Sequence, residues 1–529
     1  MALLKFNKSE LVNLSYSLKR EIILANKAGA YSNTAIVACN TRRYHGLLAV
    51  PVDNLGGEQM MLLSAVDESI VQSGHQFNLG IHRYGGTYEP RGHKYIVDCE
   101  ADSAPKITYK VGDLVITKQM IMAYDRDRLL IRYELVEAPS KITLLLKPYL
   151  AFRSIHSLTH KNPDANLGLV EIPGGASYNM YRGFPDLNVQ ISAKSTYRHN
   201  PLWYEGVTYS DEYRRGFDCV EYLLVPGIFA VEMKPGESFV LSAGVGEADP
   251  RQLKRQFNTC IGRCGAVTST RDILCRNADL LIRHRNGKTQ VTAGHSWLFT
   301  GLLRETLMAL PGLTLYADGD CSVFEDVLDT LICDEQERLF RRTTQVEAPL
   351  RLVDALQQYI DFAGVEARVW KKYGETVKGV IESYGPGRRQ EVSLHPNGLL
   401  WAQMDRVALS WMNAYINGNP VTERPGYQVD TNAWWYNALC FAIAMETKYA
   451  GADSEFVKTW TPVRDAAKAN FQRMFWAPEW GYMRDYIYST DFHQEVRPNQ
   501  LVAVYVPYSP IDDEVKAAVM NAVQRELVT

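Results

Sequence analysis

The sequence has no excess of charge of either sign. It contains 57 Lys and Arg residues and 60 Asp and Glu residues, which gives a net charge of −3. Nucleic acids and anionic membranes attract proteins with clustered basic residues, so neither is expected as a partner. No window approaches ~18 uninterrupted apolar residues, and the start, MALLKFNKSE, lacks the apolar run of a signal peptide. We therefore expect a cytoplasmic protein.

Sequence motifs for metals and common cofactors are also missing. The nine cysteines are scattered, and the one close pair, Cys260 and Cys264, has no matching Cys or His pair downstream. This spacing predicts reduced, mostly buried thiols and no zinc site. There is no G-x-G-x-x-G in a βαβ unit, no P-loop and no H-E-x-x-H. We expect neither a cofactor nor a metal.

Aromatic residues are what the sequence does have, with 30 Tyr and 10 Trp. Trp and Tyr beside carboxylates suit sugar binding, because sugar faces are apolar and sugar edges carry hydroxyls. Large enzymes also use aromatic residues simply to fill the core. The length of 529 residues predicts two to four domains.

The hydrophobic periodicity changes near the middle of the chain. Up to about residue 265, short β-branched and aromatic runs such as RLLIRYELV alternate with Gly, Pro, Asp and Asn, which is typical of a large antiparallel sandwich. From about residue 271 the spacing is helical in successive segments. We therefore predict a β-sandwich domain over residues 1–265 and a helical toroid or bundle over residues 266–529.

The most apolar long segment, residues 293–315, contains adjacent charges at Arg304 and Glu305. A charge in an apolar helix is unfavourable unless it is paired or used. Neighbours on a helix are ~100° apart, so we expect these two side chains to reach different partners. Trp297 lies near the expected helix start. The segment is either a core helix with one snorkelling Arg or the floor of an active site.

The run CNTRRYHGLLAV places four polar residues before an apolar strand. Guanidinium groups and an imidazole are good ligands for hydroxyls or carboxylates. Arg42, Arg43, Tyr44 and His45 therefore predict either a binding site or a salt-bridged strand end.

Two later segments combine Trp with carboxylates. Trp401 and Trp411 flank Asp405 and Arg406, a pattern that suits either a sugar subsite or the core.

Asp430 precedes Trp434 and Tyr436, where it is either an N-cap or part of a pocket. The polar RPNQ at 497–500 is compatible with a ligand loop or a simple turn.

Taken together, these segments resemble the bacterial glycogen debranching enzyme family of the amylo-α-1,6-glucosidase type. The strongest match is NTRRYHGLL, and LPGLTL, DVLDTL, VWKKYGET, NGLLWA, NALCFA and RPNQ follow in family order. The resemblance implies an N-terminal β-sandwich followed by an (α/α)6 toroid that removes α-1,6-linked glucose from glycogen. It also implies that the last helices of the toroid are missing here, which would leave self-association as one way to cover the core.

The chain departs from the family pattern at the expected sugar site. It reads LLRET where the family reads W-G-R-D-T, which places Glu305 in the position of an Asp. It reads VEAPLRL for V-D-A-x-L-W-F, so Glu347 replaces Asp and Arg351 replaces Trp. It reads SWMNA for T-W-M-D-A, so Asn413 replaces the family's general acid. Loss of a general acid lowers rates by about 10²–10⁴-fold.

The resemblance assigns roles to these positions. Glu305 and Asp430 are the expected catalytic carboxylates. The expected substrate-binding residues are Arg42, Arg43, Tyr44, His45, Trp297, Arg304, Glu347, Trp411, Asn413, Trp434 and Tyr436. The resemblance predicts two-carboxylate hydrolysis of glycogen or a related branched α-glucan. Asn413 and the shortened toroid also allow a catalytically impaired glucan-binding or regulatory protein.

Overall fold

Two large antiparallel β-sheets form the first part of the chain. The structure is a computed structural model, and it describes residues 4–101, 104–265, 267–295, 302–489 and 494–528. The chain divides into two compact units, residues 1–299 and 300–529. The strands of the first unit are β1 (Lys5–Asn7), β2 (Glu21–Ala25), β3 (Tyr31–Ala35), β4 (Gly46–Val52), β5 (Glu58–Gln72), β6 (His75–Asn78), β7 (His82–Tyr84), β8 (Thr87–Glu89), β9 (Ile96–Glu100), β10 (Lys106–Val111), β11 (Leu114–Met122), β12 (Arg128–Glu137), β13 (Ile142–Ser154), β14 (Val170–Ile172), β15 (Gly175–Tyr178), β16 (Leu187–Ile191), β17 (Thr196–Thr208), β18 (Val220–Met233), β19 (Ser238–Val245), β20 (Ile282–Arg285) and β21 (Lys288–Val291).

The two sheets pack face to face as a sandwich. One sheet has the order β1-β9-β10-β11-β12-β19-β16-β15-β14, and the other has the order β2-β3-β4-β5-β13-β18-β17-β7-β8, with β6 paired to β5. Side chains alternate between the two faces of a strand, so Ile107 and Tyr109 of β10 are buried between less buried neighbours. One core cluster joins Ile107 and Leu129 of the first sheet to Leu48 and Leu144 of the second. The predicted antiparallel β-sandwich is confirmed.

The α-helices in the described part of the first unit are α1 (Lys8–Val12), α2 (Leu14–Ser17), α3 (Ser210–Arg214), α4 (Leu253–Cys264) and α5 (Thr270–Leu280). Helix α5 and the β20–β21 hairpin both bond to Lys27 after β2: the Nζ of Lys27 donates to the carbonyl of Asp279 at 2.6 Å, and the backbone N–H of His284 donates to the carbonyl of Lys27 at 2.8 Å. The domain boundary that we place near residue 265 rests on the change in periodicity and stays a prediction.

The described residues of the second unit are mostly helical. Their helices are α6 (Leu303–Pro311), α7 (Cys321–Asp334), α8 (Gln336–Phe340), α9 (Arg351–Ala363), α10 (Glu366–Ser383), α11 (Val429–Tyr449), α12 (Glu455–Phe475), α13 (Leu501–Tyr505) and α14 (Asp513–Leu527). Short strand pairs connect them: β22 (Val392–Leu394) with β23 (Leu400–Ala402), β24 (Tyr415–Ile416) with β25 (Asn419–Pro420), β26 (Tyr427–Gln428) with β29 (Tyr486–Ile487), and β27 (Trp476–Ala477) with β28 (Tyr482–Met483).

Apolar residues at the helical period explain where these helices form, and local residues explain where they end. Leu352, Leu356 and Tyr359 recur at the helical period and are buried on one face of α9. The helix stops at Gly364, whose backbone adopts the left-handed conformation with φ 67°. Helix α11 is apolar on nearly all sides and is correspondingly the most buried helix of this unit. Within the described ranges, no helix has the length and apolarity needed to cross a membrane.

Candidate active site

Helix α6 places an arginine and a glutamate at its N-terminal turn. Leu303 and Leu307 are buried, which directs this end of the helix into the unit. The Nε and Nη2 of Arg304 both donate to Oε1 of Glu305, at 3.0 and 2.5 Å. Our expectation that the two neighbours reach different partners is therefore wrong. The guanidinium is long enough to fold back onto the adjacent residue.

Glu347 lies beside this pair, immediately before the 3₁₀ turn Ala348–Leu350. It is fully buried, and its Oε1 lies 3.6 Å from Nη1 of Arg304. Burial, reinforced by the negative charge of Asp430, raises the pKa of the Glu347 carboxyl to about 7, against the opposing charges of Arg304 and Arg351. Glu347 is therefore a carboxyl group that holds its proton close to neutral pH.

Arg351 opens helix α9 one turn after Glu347. Only 9% of the residue is exposed, and its guanidinium carbon lies 3.9 Å from the centroid of the Trp434 ring on α11. The indole Nε1 of Trp434 donates to the hydroxyl of Tyr505 at 2.9 Å. Trp434 thus joins α9, α11 and α13 at one place.

Asp430 is held by an arginine that we did not single out from the sequence. Asp430 lies in the first turn of α11 without capping it, because the N-cap is Gln428 and makes no side-chain cap. Nη2 of Arg424 donates to Oδ1 of Asp430 at 2.8 Å, and Nη1 donates to Oδ2 at 3.3 Å. Both residues are almost fully buried. Both carboxylate oxygens of Asp430 are therefore engaged inside the protein.

The same arginine binds a second buried carboxylate, Asp485. Nε and Nη2 of Arg424 donate to the two oxygens of Asp485, each at 2.9 Å. Arg497 and Asn499, from the RPNQ segment, also donate to Asp485, at 2.5 and 2.7 Å. These polar residues form a buried network, so they serve the packing of this loop. Two carboxylates beside one guanidinium raise the pKa of Arg424 despite its burial.

Trp411 is attached to the edge of this network. Its Nε1 donates to Oδ1 of Asn499 at 2.8 Å, while 40% of the residue remains exposed. Asn413, two residues later, is exposed.

The structure does not bring Tyr436 together with Glu347. Tyr436 and Trp434 are two residues apart on α11 and therefore lie on roughly opposite sides of the helix. Burial, with added contributions from Cys440 and the nearby charge of Asp465 on α12, raises the pKa of Tyr436. Tyr436 thus faces α12. Trp297 lies outside the described residues.

The NTRRYHGLL segment lies in the first unit, and its two arginines are paired there. Nε of Arg42 donates to Glu21 at 2.8 Å, and Nη2 of Arg43 donates to Glu212 at 3.0 Å. Burial disfavours the charged form of Glu21, but His45 and Arg42 outweigh it and lower the Glu21 pKa to about 2.

The other two residues of this segment also have partners within the first unit. The hydroxyl of Tyr44 lies 3.4 Å from Nδ1 of His156. His45 is fully buried, and its Nδ1 accepts the backbone N–H of Thr41 at 3.1 Å. The contacts of Arg42, Arg43, Tyr44 and His45 are thus those of a salt-bridged strand end.

Arg424 and Asp485 are the site-supporting residues that sequence reasoning missed. Arg424 has φ 51°, a left-handed backbone conformation that is rare for a residue with a side chain. The only local signal was the Pro-Gly pair that follows it, which marks a turn. Asp485 is 61 residues away from Arg424, and no periodicity connects the two positions.

Comparison with known proteins identifies the family to which the sequence is similar. The family model described as "Glycogen debranching enzyme N terminal" matches residues 20–240, and the model described as "Amylo-alpha-1,6-glucosidase" matches residues 269–529. A search of curated proteins found no significant match.

Among solved structures, a bacterial glucoamylase complexed with acarbose superposes with a TM-score of 0.53 at 10% identity, covering 96% of this chain and 78% of that one. Two rhamnosidases superpose more weakly. The enzyme from Bacillus sp. GL1 has a TM-score of 0.31 at 13% identity, and the match covers 70% of this chain and 40% of the Bacillus enzyme. The enzyme from Klebsiella oxytoca has a TM-score of 0.35 at 9% identity, and the match covers 99% of this chain and 83% of the Klebsiella enzyme.

The glucoamylase superposition confirms the fold class, a β-sandwich followed by a helical unit of the (α/α)6 type. The two family models together cover most of the chain, and they do so in the order of its two units. The chain therefore belongs to the glycogen debranching enzyme family and, through its amylo-alpha-1,6-glucosidase part, to the glycoside hydrolases.

Proposed function

We propose that this protein removes α-1,6-linked glucose from glycogen or a related branched α-glucan, and that the reaction takes place around Glu347. One observation carries the proposal. Among the buried side-chain polar atoms that have no hydrogen-bond partner in the described part of the chain, five belong to the residues around Glu347: Nη1 of Arg304, Oε2 of Glu305, both carboxyl oxygens of Glu347 and Nε of Arg351.

Buried polar atoms in native proteins nearly always have partners, so such a concentration indicates a place for a polar ligand. Its atoms include donors on two arginines and acceptors on two glutamates. A glucose ring offers both donors and acceptors through its hydroxyls. The buried ring of Trp434 holds the guanidinium of Arg351 beside these atoms.

Two carboxyl groups of this cluster can divide the work of hydrolysis. Glu347 retains a proton near pH 7 and is the group that we assign to protonate the leaving oxygen. Glu305 is paired with Arg304, and we assign it to activate water. Terminal nitrogens of the Arg304 guanidinium contact both groups, at 2.5 Å for Glu305 and 3.6 Å for Glu347, which fits a hydrolysis that uses two nearby carboxyl groups.

Asp430, which we expected to be catalytic, has a different place in this proposal. Arg424 engages both of its oxygens, so it has no free oxygen to act on a substrate. Its charge instead helps to raise the pKa of Glu347. We therefore assign to Asp430 a supporting role in the electrostatics of the site.

Glucose release from a branched limit dextrin tests the proposal. The wild-type protein is expected to release glucose, and Glu347→Gln is expected to lower the rate by about 10²–10⁴-fold because the amide has no acidic proton. Glu382→Gln, an exposed glutamate of α10, is the matched control and should keep the wild-type rate. A folded wild-type protein that releases no glucose would refute hydrolysis.

A glucan-binding protein without hydrolysis is the second candidate function. It is favoured by Asn413, which is exposed and occupies the position where the resemblance implies a general acid. Isothermal titration with maltooligosaccharides separates the two functions. Binding without glucose release supports this second candidate, and the absence of both defeats each of them.

A further inference from the structure

Arg351 is exceptional among the buried arginines of the second unit. Three others each have a carboxylate within salt-bridge distance: Arg304 has Glu305 at 2.5 Å, Arg389 has Glu391 at 3.5 Å, and Arg424 has Asp430 at 2.8 Å. Arg351 is nine-tenths buried, yet its guanidinium has no hydrogen bond and no carboxylate within 4.0 Å in the described part of the chain. Buried charges are normally paired, so Arg351 lacks an anion.

We propose that the site around Glu347 binds a hexosyl unit that carries an anionic group, and that Arg351 is the residue that selects it. This inference rests on the proposed function and narrows its substrate class to sugars with a phosphate or carboxylate substituent. Arg351 is suited to such a group, because charge-assisted hydrogen bonds from a guanidinium to phosphate or carboxylate are among the strongest in proteins.

The surroundings of Arg351 leave its charge available to a ligand. On its own helix, Asp354 has a pKa raised by burial, although Arg351 and the hydrogen bond from Gln358 oppose the shift. From the preceding turn, Glu347 has a pKa of about 7 and so is partly protonated at neutral pH. From α11, Asp430 is already bound by Arg424. None of these carboxyl groups forms an ion pair with Arg351.

The orientation of Arg351 is fixed before any ligand arrives. Its guanidinium lies over the face of Trp434 at 3.9 Å, and Trp434 is itself anchored by its hydrogen bond to Tyr505. A cation held on an aromatic face keeps its N–H groups directed away from the ring. A guanidinium positioned in this way loses less side-chain entropy when it binds an anion.

Isothermal titration of the full chain at pH 7 with glucose, glucose 6-phosphate and glucuronate tests this inference. Wild-type protein is expected to bind at least one of the anionic sugars about 10-fold more tightly than glucose. The preferred sugar identifies phosphate or carboxylate as the anion. Arg351→Gln should bind all three sugars within about 2-fold of one another, because a single hydrogen bond to a charged group accounts for the preference.

Arg351→Lys keeps the positive charge and provides a second variant if the Gln variant does not fold. It is expected to retain part of the preference, whereas Arg388→Gln, an exposed arginine after α10, should retain all of it. Equal affinities for the three sugars in the wild type, or a preference that survives in Arg351→Gln, would overturn the inference. Either result leaves the proposed function intact, because hydrolysis is refuted separately if the folded wild-type protein releases no glucose from a branched limit dextrin.

Discussion

Glu347 shows how position alone can change the chemistry of a carboxyl group. It is fully buried, has no hydrogen-bond donor on either oxygen in the described part of the chain, and faces the charge of Asp430. In water such a group is ionised at neutral pH. Here its pKa is about 7, so a large fraction of the group carries a proton at neutral pH.

This pKa predicts a pH dependence of stability. The folded pKa of about 7 lies above the ordinary 4.5, so the folded state holds the extra proton between these values. The contribution of Glu347 to stability is therefore fully present below pH 4.5 and is lost as the pH rises through about 7. Its size is on the order of 3 kcal/mol.

Urea unfolding at pH 5 and pH 8 checks this prediction. The wild type should lose more free energy of unfolding between these two pH values than Glu347→Gln, whose amide does not titrate. Glu382→Gln, the exposed control, should behave as the wild type does. If Glu347→Gln and the wild type show the same pH dependence, the raised pKa is wrong.

At the scale of elements, Arg424 joins the start of α11 to the β28–β29 turn and to the RPNQ segment. It bridges Asp430 and Asp485, which are both buried. Removal of one member of a buried ion pair leaves an uncompensated charge, which is much more unfavourable than loss of a surface pair. The network therefore holds several loops near Glu347 in one arrangement.

We expect Arg424→Met to lower the free energy of unfolding by about 3–5 kcal/mol, because it leaves two buried carboxylates without their arginine. Denaturant unfolding with circular dichroism measures the change. Arg525→Met on α14 is the matched control, since its side chain is 62% exposed and its loss should change stability by less than about 0.5 kcal/mol. Similar stabilities for the two variants would contradict the structural role of Arg424.

A second buried pair supports the NTRRYHGLL segment in the first unit. Arg153 binds Glu221, and its Nη2 also donates to the backbone carbonyl of Arg43 at 2.8 Å. Tyr209 donates its hydroxyl to the same Glu221. The segment is thus held in place by residues from β13 and β18 that are far apart in sequence.

Arg153→Met should destabilise the protein by about 3–5 kcal/mol, since Glu221 would remain buried without a cation. Thermal or denaturant unfolding checks this value. Lys161→Met breaks an exposed ion pair with Glu205 and is expected to be nearly neutral. An Arg153→Met protein as stable as the Lys161→Met protein would show that the buried pair contributes little.

For the whole molecule, periodicity was enough to predict a β-sandwich followed by a helical unit. The alternating pattern of segments such as RLLIRYELV became β12 of the sandwich, and the helical spacing of residues 348–364 became α9 with its stop at Gly364. These are local patterns, because each depends on neighbours within one strand or helix. The family resemblance added the (α/α)6 arrangement of the helices, because periodicity alone left a toroid and a bundle both open.

The candidate site was predictable only in part. Arg304, Glu305 and Glu347 were found because they interrupt apolar or family-like segments, and the structure brings them together. The link from Arg424 to Asp430 and Asp485 was missed, since ion pairs between distant segments depend on three-dimensional packing. For the same reason, charge and composition did not reveal that Arg42 and Arg43 are already paired with Glu21 and Glu212.

The pH profile of glucose release from a branched limit dextrin tests the central claim most directly, because it joins hydrolysis to Glu347. We predict that kcat/KM of the wild type falls as the pH rises through about 7, where Glu347 loses its proton, and that folded Glu347→Gln has little activity at any pH. A rate that is unchanged from pH 6 to pH 8, or a folded Glu347→Gln protein with the wild-type rate, would contradict the account.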